Sequence, residues 1–177
     1  MLLFHYTPVS LNEKGIAYGI EKNIGGVDVF ITEDVKTRVE ELSQLICRYA
    51  RDLERSQAAR KSTSDENVCR LFDYASARCI HGIIESFADA GNQLIDALIM
   101  RDPASYRDIV EILGDESVIP PETVRDLGEM MEMRRLLIDS FSGIEKQIES
   151  TERIVPQIMQ AANAMSDYVQ CNFRKSD

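Results

Sequence analysis

The sequence predicts an all-α fold, an antiparallel bundle of about five helices with short connections. Three observations carry this reading. Apolar residues recur at three- and four-residue steps over long segments. Aliphatic side chains, Ala and Met dominate the apolar content; Trp is absent, and only 9 Gly and 5 Pro are spread over 177 residues. The periodic segments also begin or end on caps and breakers. The length suits one domain able to bury a proper core.

Residues 1–28 hold Gly15, Gly19, Gly25 and Gly26, show no sustained helical period, and are read as a weakly structured N-terminal extension. The helical domain is placed over residues 29–177. Thr32, followed by Glu33 and Asp34, has the form of an N-cap with acidic first-turn residues that suit the helix dipole. Val35, Val39, Leu42, Leu45, Ile46, Tyr49 and Leu53 then carry a first helix to about residue 60. Thr63 and Glu66 form a capping box for a second helix, which runs to about residue 101.

The apolar stripe of that second helix drifts. Val68, Leu71, Phe72, Ala75 and Cys79 lie on one side, and Ile83, Phe87, Leu94 and Leu98 lie further round. A helix burying different faces along its length is expected to pack on two bodies, its own core and a second copy. Asp102 is expected as N-cap of a third helix with Pro103 at its first position, and Gly114 as its stop. Pro120-Pro121 opens a fourth helix through Leu127, Met130, Met131, Leu137, Ile138 and Phe141. Ser142 and Glu145 make a capping box for a fifth, which Pro156 should kink or divide before Ile158, Met159, Ala162, Met165, Val169 and Phe173 finish it.

A net charge of −10 argues against a broad basic surface for nucleic acid or anionic membrane, and favours a protein or small-ligand partner. The strongest basic run, Arg48, Arg51, Arg55, Arg60 and Lys61, is interrupted by Asp52 and Glu54. It reads either as an RNA-backbone track or as a solvated mixed-charge face. Cys47, Cys69, Cys79 and Cys171 form no CxxC pair, and only His5 and His81 could join them, so no metal site and no cofactor are expected. Buried free thiols are expected instead. No run approaches the roughly 20 apolar residues of a membrane span, and a cytoplasmic protein is expected.

On the second helix, Glu85, Asp89, Asn92 and Asp96 fall at steps of four, three and four, on one side of the helix. They line a cleft or form a solvated face, which Ser86 and Gln93 would widen. Three segments go further: Asp89-Ala90-Gly91-Asn92, Arg101-Asp102-Pro103-Ala104-Ser105-Tyr106, and Met133-Arg134-Arg135-Leu136-Leu137-Ile138-Asp139-Ser140-Phe141. Together they resemble the HepT-like family of HEPN domains, which are small, all-helical and usually dimeric bacterial proteins. The resemblance covers about residues 28 to 173. Its most specific piece, Asp89 through Tyr106, is similar to a cytosolic branch in which the catalytic histidine is commonly missing.

The resemblance implies a site built around R-x4-H-x-Y, where the histidine serves metal-independent RNA cleavage and the arginine steadies the phosphate. Here Arg134 holds the arginine position, Asp139 stands at the histidine position, and Phe141 replaces the tyrosine. Histidine titrates near neutral pH, whereas aspartate, near 3.9, is a much weaker base. Loss of acid–base catalysis removes about 10²–10⁴-fold in rate. His81 is placed too far from the residue 89–92 patch to substitute. Phe141 has no hydroxyl to accept nucleotides from a nucleotidyltransferase partner, the control that the family's tyrosine implies.

The expected cleft therefore comprises Arg134 and Asp139 at the catalytic positions, with Glu85, Asp89, Asn92, Asp96, Arg135 and Phe141 around them. Arg135 and Asp139, four apart, also satisfy the spacing of a surface salt bridge. The expected function is a homodimeric binding module of toxin–antitoxin descent with a degenerate motif, its fourth helix near the two-fold cleft. The alternative is a metal-independent HEPN ribonuclease regulated by a nucleotidyltransferase antitoxin. RNA is a weaker partner expectation than a second copy of the chain.

Overall fold

Thr32 caps the first helix as its sequence requires. Its Oγ1 accepts the Val35 N–H, and α1 (Glu33–Lys61) follows. The computed structural model describes residues 31–139 and 144–173, without the Asp139 side chain, plus the backbone of Asn23–Ile24 and Val27–Asp28. Those two short strands, β1 (Asn23–Ile24) and β2 (Val27–Asp28), pair antiparallel, Asn23 opposite Asp28. The rest of the expected extension over residues 1–28 lies outside the described residues.

After α1 come α2 (Glu66–Ala97), α3 (Tyr106–Asp115), α4 (Pro121–Glu132), α5 (Arg134–Asp139), α6 (Glu145–Arg153) and α7 (Val155–Asn172). The fold is all-α in its described body, and two of the five expected helices are each divided. The fourth breaks at Met133, whose N–H bonds back to the Met130 carbonyl at 3.0 Å, three residues away instead of four. The fifth divides at Ile154, with Pro156 seated in the first turn of α7, where its missing N–H costs no helical bond.

The helices pack antiparallel. Along α1 and α2, Gln57 meets Ser76 at 2.7 Å, Tyr49 packs on Gly82, and Arg38 approaches Asp89, so one index falls as the other rises. Ser76 donates in turn to Ser56 Oγ, and Ser56 to the Phe72 carbonyl, so these buried polar groups are satisfied. Helix α7 returns along the other flank of α1, where Ile31 bridges Phe173 and Lys36 Nζ lies 4.7 Å from the Phe173 ring centre. The core between them holds Ile46, Leu53, Ile80, Ile83, Ile84, Phe87, Leu94 and Ile158, all fully buried.

Several caps depart from the sequence expectation, each for a local reason. Asp65, not Thr63, caps α2, because its Oδ1 reaches both the Asn67 and Val68 N–H groups. Thr63 Oγ1 instead accepts the Asp65 N–H. Ser105, not Asp102, caps α3, its Oγ accepting the Asp108 N–H at 3.1 Å. Helix α6 starts from Ile144 without a side-chain cap, and Ser142 lies outside the described residues. Helix α3 ends at Asp115, one residue past Gly114. Ile138, expected on the apolar face of the fourth helix, is 54% exposed.

Gly91 decides how closely α2 and α3 approach. A Cβ there would stand 2.4 Å from Ile109 Cγ2, so only glycine lets the helices touch at this spacing. No helix among the described residues is long and apolar enough to cross a membrane.

Candidate functional site

Glu85 is the point on which the site converges. It projects from the middle of α2, half-buried, and three side chains from three helical segments or turns reach it. Arg134, the first residue of α5, donates from Nε to Glu85 Oε1 at 2.5 Å. Tyr106, the first residue of α3, donates its hydroxyl to Oε2 at 3.2 Å. His81, one turn earlier on α2, places Nε2 3.4 Å from Oε1. The Arg134 guanidinium also lies over the Tyr106 ring, 4.7 Å from its centre.

The break at Met133 matters because it re-aims the chain as α5 begins and places Arg134 on this carboxylate. Tyr106 is aimed by a different device. Ile99 takes a positive φ of 51° as α2 ends, and the connection turns back. Arg101 then grips Asp108 through both guanidinium nitrogens, at 2.8 and 2.5 Å, while Asp108 Oδ2 accepts the Ala104 N–H at 2.8 Å. Those bonds hold the Asp108 carboxyl down at about 2, first through Arg101 and then through the Ala104 N–H.

The electrostatics of the cluster favour fixed charge. Glu85, by hydrogen bond and then by charge, holds the Arg134 guanidinium above its ordinary value, so it stays protonated. Burial, and next the Glu85 charge, push the Tyr106 phenol up, so it stays a neutral donor. His81 Nδ1 lies 2.9 Å from Arg78 Nη1; a guanidinium can only donate, which leaves Nδ1 as acceptor and the proton on Nε2, facing Glu85. The arrangement thus presents the outer edge of an oriented guanidinium, with 37% of the Arg134 side chain exposed. Such an edge suits a carboxylate or phosphate.

The other expected site residues are placed as follows. Asp89 is exposed, with Oδ2 3.9 Å from Arg38 Nη2 on α1 rather than at Arg134. Asn92 and Asp96 are exposed further along α2, so of the four-residue stripe only Glu85 meets the arginine. Arg135 is exposed. Asp139 ends α5, but its side chain, the Arg135–Asp139 pair and Phe141 lie outside the described residues. Two members were missed. His81 sits one turn from Glu85, a legible i, i+4 spacing, and its distance from the residue 89–92 patch was the wrong yardstick. Tyr106 closes the Arg101–Tyr106 motif segment, but no spacing places it on Glu85, since only the turn after α2 brings it there.

The expected basic run is mostly neutralised: Arg55 pairs with Asp52 at 3.0 Å, Arg60 with Asp73 at 2.5 Å and Lys61 with Glu152 at 2.8 Å. Cys47 and Cys79 are buried free thiols whose pKa burial raises, but Cys171 is exposed. Among the described residues no cluster of three or more His, Cys, Asp or Glu could hold a metal ion.

Residues 40–165 match the family of HepT-like proteins, described as "Ribonuclease HepT-like". The chain belongs to the HepT-like family. One HepT-like relative is YutE of Bacillus subtilis (strain 168), whose name assigns it a provisional RNase activity; it is 39% identical over 69 residues. That match spans 39% of this chain and about half, 48%, of YutE. The solved structure of YutE, described as a cytosolic protein of unknown function, superposes with a TM-score of 0.64 at 22% identity, over 84% of this chain and 98% of that one. A tri-AMPylated HEPN toxin of Shewanella oneidensis, in complex with its MNT antitoxin, superposes with a TM-score of 0.58 at 12% identity, over 79% and 98%. At these identities the two structures speak for the helical HEPN fold.

Proposed function

We propose that this HepT-like protein is a toxin-type component whose cleft has lost the family's acid–base group and serves as a homodimeric binding module. A nucleotidyltransferase antitoxin, the partner class of the Shewanella complex, would bind it without modifying it at this position, because Phe141 offers no hydroxyl. One observation carries the reading. Arg134 is tied by its Nε to Glu85 and stacked over Tyr106, an oriented anion-binding edge, while Asp139 and Phe141 occupy the positions of the motif's base and its modifiable hydroxyl. An aspartate in place of the motif's histidine is a much weaker base, which opposes proton abstraction. Dimerisation is supported by apolar side chains left in water: Leu136 at 49% exposure and Ile138 at 54% beside Arg134, and Leu71 at 64% on α2.

The test is incubation of the purified protein with a mixed RNA pool, with and without Mg²⁺, alongside light scattering at micromolar concentration. The expected result is a dimer that leaves the RNA intact and an Asp139→His variant that cuts it. Cleavage by the wild type, abolished in Arg134→Ala, overturns the proposal.

A second reading, a metal-independent ribonuclease, is favoured by His81. An imidazole within 3.4 Å of the carboxylate that holds Arg134 offers a proton-transfer group from α2 in place of the one lost from the motif. This reading requires wild-type cleavage that falls at least 10²-fold in His81→Ala. An intact RNA pool eliminates it.

A further inference from the structure

Of the five residues in the basic run Arg48–Lys61 of α1, Arg55, Arg60 and Lys61 are held by acidic neighbours, whereas Arg48 and Arg51 stand exposed and line a groove between α1 and α7. The groove, about 540 Å³, is large enough for a nucleotide. Arg48 and Arg51, three residues apart, project from neighbouring positions of the helix. Across from them α7 supplies Asn163 and Ser166. The Asn163 Oδ1 accepts from Cys47 Sγ at 3.7 Å, which turns its NH₂ end away from the thiol. Ser43, only 3% exposed, lines the same groove with a buried hydroxyl that has no hydrogen-bond partner. Among the described lining residues, Glu41 is the one acidic side chain.

Two guanidinium groups, an amide and a surface hydroxyl make a donor-rich surface in a chain of net charge −10. On the α1 wall beside them, the Ser43 hydroxyl is buried without a hydrogen-bond partner. We propose that the α1–α7 groove is a phosphate-binding site, with Arg48 and Arg51 as its principal ligands and Asn163 and Ser166 as supporting donors. The ligand chemistry is a phosphate oxyanion, carried by a free nucleotide or by the backbone of a single-stranded RNA. The site is independent of the Arg134 cleft, on another helix pair, and stands or falls separately from the function proposed above.

Binding of AMP and of a short fluorescent oligoribonucleotide is measured on the full chain carrying Arg134→Ala, which removes the other anion-binding edge. If the source is RNA backbone, the oligonucleotide binds and AMP does not. Its log K then falls with log salt, and Arg48→Ala and Arg51→Ala each flatten that slope by about 0.7. If the source is a nucleotide, AMP binds and each substitution weakens it at least fivefold. Both arginines are exposed, so unchanged thermal unfolding serves as the folding control. Binding of neither ligand, or binding that Arg48→Ala and Arg51→Ala leave unchanged, overturns the proposal.

Discussion

The two halves of α2 are built from the same residue types at similar spacing and end in different surroundings. In the C-terminal half Ile83, Ile84, Phe87 and Leu94 are fully buried, and Gly91 lets α3 settle against the backbone. In the N-terminal half Leu71 is 64% exposed, Ala75 is exposed, and Phe72 and Val68 are half-buried. The difference is one of neighbours. The C-terminal half is enclosed by α1, α3 and α5, through Arg38, Ile109 and Arg134, whereas the N-terminal half meets α1 and, near Asp73, α6, which leave Leu71 and Ala75 uncovered. Periodicity reports which face is apolar; it does not report whether anything covers that face. The open stretch ends at Ala75, and Glu85 lies further along α2, half-buried at the rim of the closed part. That position explains how a carboxylate can be half-buried, fully bonded and still reachable.

Substitution in the two halves should separate them sharply. Phe87→Ala removes a fully buried ring and is expected to cost about 3–5 kcal/mol. Chemical denaturation at neutral pH measures it, and a loss below about 1 kcal/mol would mean that this half is not closed. Gly91→Ala comes next. Helix propensity alone predicts a gain of about 0.5–1 kcal/mol from alanine. The new methyl, however, meets the stiff, β-branched Ile109 at 2.4 Å and Leu113 Cδ1 at 3.3 Å. Overpacking of about 1–3 kcal/mol outweighs the gain, so the variant should be destabilised. The pair Gly91→Ala with Ile109→Ala should recover part of that methyl clash, and a net stabilisation by Gly91→Ala alone would refute the close approach.

What the sequence made legible follows the same division between local and distant causes. Thr32, Pro120-Pro121 and Pro156 act within their own helical turn, and their positions could be read directly. Around residue 65 two acceptable caps stand close together, and the winner is the carboxylate that reaches two N–H groups. Asp102-Pro103 has every local mark of a helix start. The grip of Arg101 on Asp108 nonetheless delays α3 to Tyr106, a contact that no spacing rule announces. The break at Met133 has no Gly or Pro to signal it, although it is what aims Arg134. In the site, Arg134 and Glu85 were legible from motif and face, and His81 from its i, i+4 step. Tyr106 was not, because its place depends on the turn that the Arg101–Asp108 pair stabilises.

Smaller effects sharpen the boundary. Leu71→Ser, in the open half, should change unfolding free energy by no more than about 0.5 kcal/mol. If a second copy covers this surface, the same change should instead weaken the dimer, read by sedimentation across a concentration series. A cost comparable to that of Phe87→Ala would show that the open half is closed by contacts within the chain, and the contrast between the halves would collapse.

The smallest expected effect concerns the clamp that positions Tyr106 beside Glu85. The Asp108 carboxyl sits at about 2 in the folded chain, below its ordinary value near 3.8. A depressed folded-state pKa stabilises the protein above the unfolded value, and that contribution is lost as pH falls from about 4 to about 2. Asp108→Asn should therefore lower the thermal midpoint slightly at pH 7 and converge on the wild type near pH 2. Because the Arg101 end of the pair is exposed to solvent, salt should shrink the difference. A gap that persists undiminished at pH 2 would assign the loss to the Ser105–Asp108 turn itself, leaving the Arg101 ion pair without a measurable part in holding the closed half of α2 against α3.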